Sequence, residues 1–597
     1  MTYTPPIRDM AFALDHIADL PRLAQTGAFP EFTPDLTQTV LGEAGRLAAE
    51  VIAPLNRTGD LQGTRLLDGG EVRTAEGFAR AYRQFVDAGW GGLCHPPQWG
   101  GQGLPRMLSF AVLEMMQAAN VSWGLCPMLT QGAVEALIDH GTEELQRLYL
   151  PRLVSGEWPG TMNLTEPQAG SDVGALKTRA EPLGGGAYRI TGTKIYITWG
   201  EHDMAENIVH LVLARLPDAP PGTRGVSLFL VPKFLVNPDG SLGERNDVFC
   251  VGLEKKLGIH GSPTCVMAYG EKGGATGWLI GEENRGMACM FTMMNNARLA
   301  VGLQGVAVGE AAYQAALAFA RERRQGKPYG RQHEAVEALP IIEHPDVRRM
   351  LMTMKAKVEA ARAICYANAA AIDLARSLED EAGREAAKAR EDLLTPVSKA
   401  FSTDLGVEIA STGIQVHGGM GYIEETGAAQ FLRDARIAPI YEGTNGIQAL
   451  DLVNRKLPMQ GGAVVRTFLD EARTVAEALE RCGDAQARAM ARPLAEAVLA
   501  VAQATEHLLE YLREEPVDAL GGATPYLRAL GLMAGGHYLG LGALTAARHA
   551  EDPFMAARLA VARFYAENIL PQARAHAAAA VTGKEMLFAL DPERMGG

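Results

Sequence analysis

The sequence predicts a mainly α-helical protein with a central β domain. Apolar residues recur at helical spacing in the first and last parts of the chain, while between Thr161 and Gly281 the texture changes to short β-branched runs bounded by Gly, Pro and Asp. Size adds to this: 597 residues are too many for one ordinary hydrophobic core, so several packed domains are expected.

From Leu36 to Gly156, LTQTVLGEAGRLAAEVI and MLSFAVLEMMQAAN carry the helical period, with GWGGLCHPPQWGGQGLP as one long turn between them. Residues 1–160 therefore read as an N-terminal helical domain. The runs AYRITGTKIYIT, NIVHLVLARL, GVSLFLVP and TCVMAYG predict a small antiparallel sheet or barrel over 161–285. Long helical patterns return in VGLQGVAVGEAAYQAALAFARERR and HPDVRRMLMTMKAKVEAARAICYANAAAIDLA, so 286–457 is expected to hold a bundle of four or so helices. After LPMQGG the chain is alanine-rich and amphipathic to its end, and 458–597 reads as an added helical domain. No tandem repeat is evident.

Composition narrows the function classes. Lys plus Arg total 56 against 70 Asp plus Glu, a net charge of −14 with no basic stripe, which disfavours nucleic acid as a partner. The seven scattered cysteines include no CxxC and suggest neither a disulfide framework nor a zinc site, so no metal is expected. MTYTPPIRDMAFALDHI lacks the basic and apolar regions of a signal peptide, and the expectation is an unexported, cytoplasmic protein without an integral membrane segment.

Familiar catalytic templates are missing. There is no GxGxxG after a strand, no GxxxxGK[ST], no HExxH and no GxSxG elbow. What remains is a set of polar, glycine-interrupted stretches. In MNLTEPQAGSD, Thr165 and Ser171 offer hydroxyls on a loop that Gly170 opens to close approach, a suitable wall for a heteroaromatic ring rich in acceptors. In KIYITWG, strand alternation puts Tyr196 and Thr198 on one face, a ring to stack beside a hydroxyl.

The ordered series TEPQAGSD, KIYITWG, EKKLGIHGSPT, LIGEENRGM, QVHGGMGY and RDARIAPIYEGTNGIQ resembles the motif series of acyl-CoA dehydrogenases, from the GWGGLCHPPQWGGQGL turn to about Asn454. The resemblance implies an α-domain, a β-barrel and a four-helix bundle, FAD as cofactor, and α,β-dehydrogenation of an acyl-CoA to the 2-enoyl-CoA with electrons passed to an electron-transfer flavoprotein. It implies that Met162, Asn163, Leu164, Thr165 and Ser171, with Tyr196, Ile197 and Thr198, meet the flavin, Thr198 near N5 and Ser171 also towards the CoA part. Asn295 to Arg298 match the segment that meets CoA, and Arg323 matches an arginine reaching the FAD pyrophosphate of a neighbouring subunit. Gln415 to Gly419, including Gly418, match a bend that meets the same neighbour's FAD, so a homodimer is expected.

Glu442 in YEGT matches the catalytic base, with Gly443 on the substrate side and Thr444, Asn445 and Gly446 lining the flavin. A thioester α-proton is weakly acidic, so the reaction needs a carboxylate whose basicity desolvation has raised. The Glu442 backbone N–H and a flavin hydroxyl are implied to polarise the thioester carbonyl. RERRQGKP is one residue shorter than the common family form and lacks its aromatic, Gly446 replaces a polar residue, and no Arg follows Gln448. The termini resemble the long bacterial subgroup that includes 3-(methylthio)propionyl-CoA dehydrogenases, which points to that acyl group or a fatty acyl chain. An oxidase that passes electrons to O2 and an idle flavin-binding scaffold are the alternatives.

Other features read structurally. Arg433, Asp434 and Arg436 are expected to form a local ion-pair network, His417 to be a hydrogen-bonded helix-end residue, and Met287, Met290, Met293 and Met294 to pack as flexible core.

Overall fold

The computed structural model describes residues 3–330 and 337–596. Its contacts divide into two units, one holding Glu43–Pro105 and Met115–Ala297, the other Thr4–Gly42, Arg106–Glu114 and Arg298–Gly597.

In the first unit two helices lead into the sheet. Helix α1 (Val121–His140) starts where the Asn120 side chain accepts the Trp123 N–H at 3.1 Å, and α2 (Glu143–Ser155) starts on Thr142 and stops at Gly156, whose φ of 85° ends the helical path. The eight strands that follow are β1 (Gly160–Asn163), β2 (Arg179–Gly184), β3 (Ala187–Thr198), β4 (Val209–Ala214), β5 (Ser227–Pro232), β6 (Val248–Leu253), β7 (Thr264–Tyr269) and β8 (Ala275–Ile280). They order as β6-β7-β3-β8-β5-β4-β1, with β2 paired to β3. The expected antiparallel sheet is present, except that β1 pairs with β4 in parallel. Val212, Phe229, Val231, Ile190, Met267 and Tyr269 form its buried core.

Alternation fails at one place in β3. Between the pairs Lys194–Met267 and Ile197–Cys265 the register shifts, leaving Ile195 and Tyr196 opposite Val266 alone. Such a bulge re-aims side chains. Lys194 is fully buried while Tyr196, two residues on, is 59% exposed and has φ 60°. Strict strand parity therefore fails between Lys194 and Tyr196, while Ile197, between exposed Tyr196 and half-buried Thr198, is buried.

Helix α3 (Gly286–Glu322) begins in the first unit and belongs to the second from Arg298 onward. Among the described residues it is followed by α4 (Pro345–Ser377) and α5 (Glu381–His417), both long, and then by the short α6 (Ala428–Ala435) and α7 (Asn445–Asp451), a region where four or so helices were expected. Glycines set how closely α3 and α5 approach. A Cβ on Gly305 would lie 2.1 Å from the Ser402 carbonyl oxygen, and one on Gly302 2.5 Å from that of Ser398. The two backbones meet because those side chains are absent.

Four long helices of the C-terminal stretch, α8 (Ala463–Glu480), α9 (Ala491–Glu514), α10 (Ala523–Ala546) and α11 (Pro553–Asn568), lie in the same unit as the bundle. Helix α10 is buried along most of its length, with Gly531 against Phe401 and Gly535 against Tyr565. The carboxyl of Asp373 in α4 accepts the backbone N–H groups of Arg106 and Met107 at 3.0 and 2.8 Å, and burial pushes it up to about 6.

Candidate active site

Glu442 sits on a loop closed at its base. The Asn445 N–H donates to the Pro439 carbonyl at 3.0 Å and the Thr444 hydroxyl to the same oxygen at 3.3 Å. Glu442 itself is left-handed, φ 55°, and Gly443 follows at 79°. A left-handed non-glycine residue is uncommon and persists only where its surroundings hold it. Here Gln448 Nε2 donates to the Glu442 and Gly443 carbonyls at 3.4 and 3.2 Å, and the same nitrogen would lie 2.7 Å from any Cβ on Gly443. On the N-terminal side the Tyr441 hydroxyl donates to Gln304 Oε1 of α3.

The Asn445 side chain is the clamp. Its Oδ1 accepts from Lys399 Nζ at 2.8 Å, and its Nδ2 donates to the Ala400 carbonyl at 3.1 Å, the Thr403 hydroxyl at 3.1 Å and Asp404 Oδ1 at 2.8 Å. These partners all lie on one stretch of α5, so the loop is fixed to that helix.

Glu442 is half-buried, with protein packed around its carboxyl and part of its surface left open. Desolvation pushes the carboxyl up to about 7, and the charges of Lys399 and Arg298 pull against that rise. Lys399 is fully buried, and desolvation lowers it to about 7 against the opposing pull of Glu442 and Asp404. Arg298 is also buried, with its guanidinium lowered by desolvation and supported by Asp451 and Glu442. A carboxyl poised near neutrality, with two cations acting on it, can take up a proton and give it back at physiological pH.

A second set of residues lies in the first unit. Met162, Leu164, Thr165 and Thr198 are half-buried, and Ser171 and Tyr196 are exposed. The hydroxyls of Thr165, Ser171 and Thr198 have no protein partner among the described residues, so they are available to a ligand. Asn163 and Ile197 face inward: the Asn163 amide donates to the Thr161 hydroxyl at 2.9 Å and accepts from Tyr269 at 2.8 Å, and Ile197 is 2% exposed. The TEPQ loop is held by a buried pair in which Lys194 Nζ donates to Glu166 at 2.8 Å and to the Leu164 carbonyl at 2.9 Å. Glu166 also accepts from the Lys177 and Thr178 N–H groups at 2.7 and 3.0 Å, and its carboxyl is held down at about 2 although burial opposes this.

Four family models match the chain in sequence: the N-terminal domain of acyl-CoA dehydrogenase over 36–157, the middle domain over 161–269, the C-terminal domain over 284–457, and an acetyl-CoA dehydrogenase C-terminal-like domain over 467–591. The chain belongs to the acyl-CoA dehydrogenase family. A 3-methylmercaptopropionyl-CoA dehydrogenase of Ruegeria pomeroyi is 47% identical over 99% of this chain and 100% of its own length. A broad-specificity linear acyl-CoA dehydrogenase of Mycobacterium tuberculosis is 33% identical over 95% and 96%. Among solved structures, Caenorhabditis elegans ACDH-11 in complex with C11-CoA superposes with a TM-score of 0.76 at 21% identity, covering 98% of this chain and 95% of that one. A Bacillus anthracis acyl-CoA dehydrogenase complexed with FAD gives 0.74 at 21% identity, covering 94% and 90%.

In this acyl-CoA dehydrogenase, the residues that the motifs single out fall into three groups. Glu442, Gly443, Thr444 and Arg298 cluster at the loop, although the Asn445 side chain is spent on α5. Asn295, on α3, is half-buried. Arg323, Gln415, Gly418, Gly419 and Gly446 lie exposed on the surface. His417 is the expected helix-end residue, donating from Nδ1 to the Gly413 carbonyl at 2.7 Å, and Arg433 pairs with Glu424 at 3.4 Å. Met290 and Met293 are fully buried, while Met287 and Met294 are half-buried. Sequence reasoning missed Lys399, Gln304, Gln448 and the Lys194–Glu166 pair. The available signal was a single cation in each otherwise uncharged stretch, LLTPVSKAF and TGTKIYI.

Proposed function

We propose that this protein catalyses FAD-dependent α,β-dehydrogenation of an acyl-CoA thioester, with Glu442 as the base that takes the α-proton. What supports this most is the Glu442 carboxyl, partly open to a ligand and raised to about 7, in a loop whose left-handed backbone four hydrogen-bonding residues hold. The free hydroxyls of Thr165, Ser171 and Thr198 and the exposed Tyr196 ring suit a flavin, whose ring needs donors at its rim and an aromatic or apolar wall. Bound FAD supplies the acceptor for the β-hydrogen, which leaves as hydride. The chain's part is to desolvate Glu442, to orient the thioester carbonyl through the Glu442 N–H, and to hold the flavin edge through Thr165 and Thr198.

The substrate reading is 3-(methylthio)propanoyl-CoA or a linear fatty acyl-CoA, from the relative 47% identical over its full length and the broad-specificity linear one at 33%. Electrons then pass to an electron-transfer flavoprotein. Exposed Arg323, Gln415, Gly418 and Gly419 suit completion of a neighbour's FAD site in a homodimer. Among the described residues no helix is long and apolar enough to cross a membrane, and all seven cysteines are free, which suits a reducing cytoplasm.

The test is anaerobic flavin bleaching across an acyl-CoA panel, followed by reoxidation with an electron-transfer flavoprotein or with O2. Fast bleaching by the thioether or a linear fatty acyl substrate supports the reading. Peroxide formation at the rate of turnover would instead indicate an oxidase, and no bleaching by any acyl-CoA would indicate a flavin-binding scaffold.

A further inference from the structure

We propose that Lys399 is a positioning residue for Glu442: its ammonium, held by Asn445, pins the Glu442 loop to α5 and favours the carboxylate form of Glu442 through its charge. The inference rests on the reading of Glu442 as the base and adds a device that sets when that base is available.

The geometry comes first. Lys399 is fully buried, on the stretch of α5 that meets α3 at Gly302 and Gly305. An ammonium in such a place is strongly disfavoured unless it is paired. Its Nζ donates to Asn445 Oδ1 at 2.8 Å, three residues beyond Glu442 in the chain. The Asn445 amide is thereby oriented so that its nitrogen faces the Ala400 carbonyl, Thr403 and Asp404. A neutral, apolar residue at 399 would leave Oδ1 of this half-buried amide with only the Thr403 hydroxyl, at 3.4 Å, as a donor and weaken the restraint on its orientation. Because Asn445 also closes the loop base through Pro439, the position of Lys399 reaches Glu442 through one side chain and one backbone hydrogen bond.

Charge supplies the second half. The groups that act on Glu442 are Lys399 and Arg298, and Glu442 in turn acts on Tyr441. The groups that act on Lys399 are Glu442, Asp404 and Arg298; Asp404 is in turn affected by Arg528, Glu408 and Lys399, and Arg298 by Asp451, Glu442 and Arg455. Glu442 and Lys399 both titrate near 7, one raised and one lowered by the same desolvation, so protons leave the pair in two linked steps. While Lys399 is charged it holds Glu442 ionised at a lower pH than burial alone would permit. Arg298 stays charged throughout and cannot provide the same titrating response.

The experiment uses the full-length, flavin-loaded protein and the variants Lys399→Met and Lys399→Arg, with Glu442→Gln as reference. Two quantities are read against pH: the anaerobic flavin-reduction rate, and the infrared carboxyl band that Glu442→Gln lacks. Lys399→Met should move both transitions upward, so that near pH 7 reduction falls ~10-fold for each unit of displacement and recovers towards pH 9. Lys399→Arg, charged throughout, should hold both transitions at or below their wild-type positions. An unmoved band in Lys399→Met, or a rate loss equal at every pH, overturns the proposal and leaves Lys399 a packing residue. Should Lys399→Met not fold, Lys399→Gln keeps a donor for Asn445 without the charge and gives the same separation. Near-wild-type bleaching by Glu442→Gln would instead overturn the reading of Glu442 and leave the infrared result to judge Lys399.

Discussion

Arg362 grips Glu114 with two nitrogens, Nε at 2.9 Å and Nη2 at 2.7 Å from the same carboxylate oxygen, and reaches Glu310 at 2.9 Å. The Tyr366 hydroxyl donates to the other Glu114 oxygen at 2.8 Å, and every member of the cluster is buried. Breaking such a cluster costs more than forming it yields, because the partner charges stay buried. Arg362→Met should therefore lose about 3–5 kcal/mol in denaturant unfolding. A loss below the error of the method would show that Glu114 and Glu310 find other compensation.

Glu442→Gln keeps the shape of the side chain and removes the basic carboxylate. Flavin reduction should fall ~10²–10⁴-fold while acyl-CoA still binds, since general-base action and binding are separate contributions. Stopped-flow bleaching beside a ligand titration monitored through the flavin spectrum checks both.

Stability should depend on pH through the same loop. Glu442 is raised from 4.5 to about 7, so the folded state holds its proton more tightly, and the stability this brings below pH 4.5 is lost as pH rises to about 7. Lys399 is lowered from 10.5 to about 7, so stability returns as pH rises from about 7 towards 10.5. Relative to Glu442→Gln, the wild-type melting temperature should fall between pH 5 and 7. Parallel melting curves for the two proteins would assign the titration elsewhere.

Lys194 and Glu166 brace the loop that carries Thr165. Lys194→Met leaves Glu166 charged, buried and without its cation, a loss of about 3–5 kcal/mol for a broken buried pair. The variant should release FAD more readily on gel filtration than wild type, read as the ratio of flavin to protein absorbance. Full flavin retention would mean that the loop is held well enough by its backbone.

Gly305 has no room for a methyl group against the Ser402 carbonyl. Gly305→Ala should destabilise by about 1–3 kcal/mol, as overpacking does, despite the higher helix propensity of alanine. Gly446→Ala, with nothing within 4 Å of its Cβ, is the control and should be near neutral in thermal unfolding.

Much of this molecule was legible in the chain. Helix and strand periods located the three kinds of region, and the YEGT motif singled out Glu442 among 70 acidic residues. These are local properties, fixed by side-chain chemistry over a few residues. Tertiary structure decided the rest. That Tyr196 is exposed although Lys194, two residues before it, is buried depends on a bulge in the pairing of β3 with β7. Whether Asn445 meets a cofactor or clamps α5 depends on which helix passes beneath it, and that path is set by glycines far away in sequence. The poise of Glu442 belongs to no motif: it arises from desolvation and from Lys399 and Arg298, and both are long-range consequences of packing that sequence spacing does not encode.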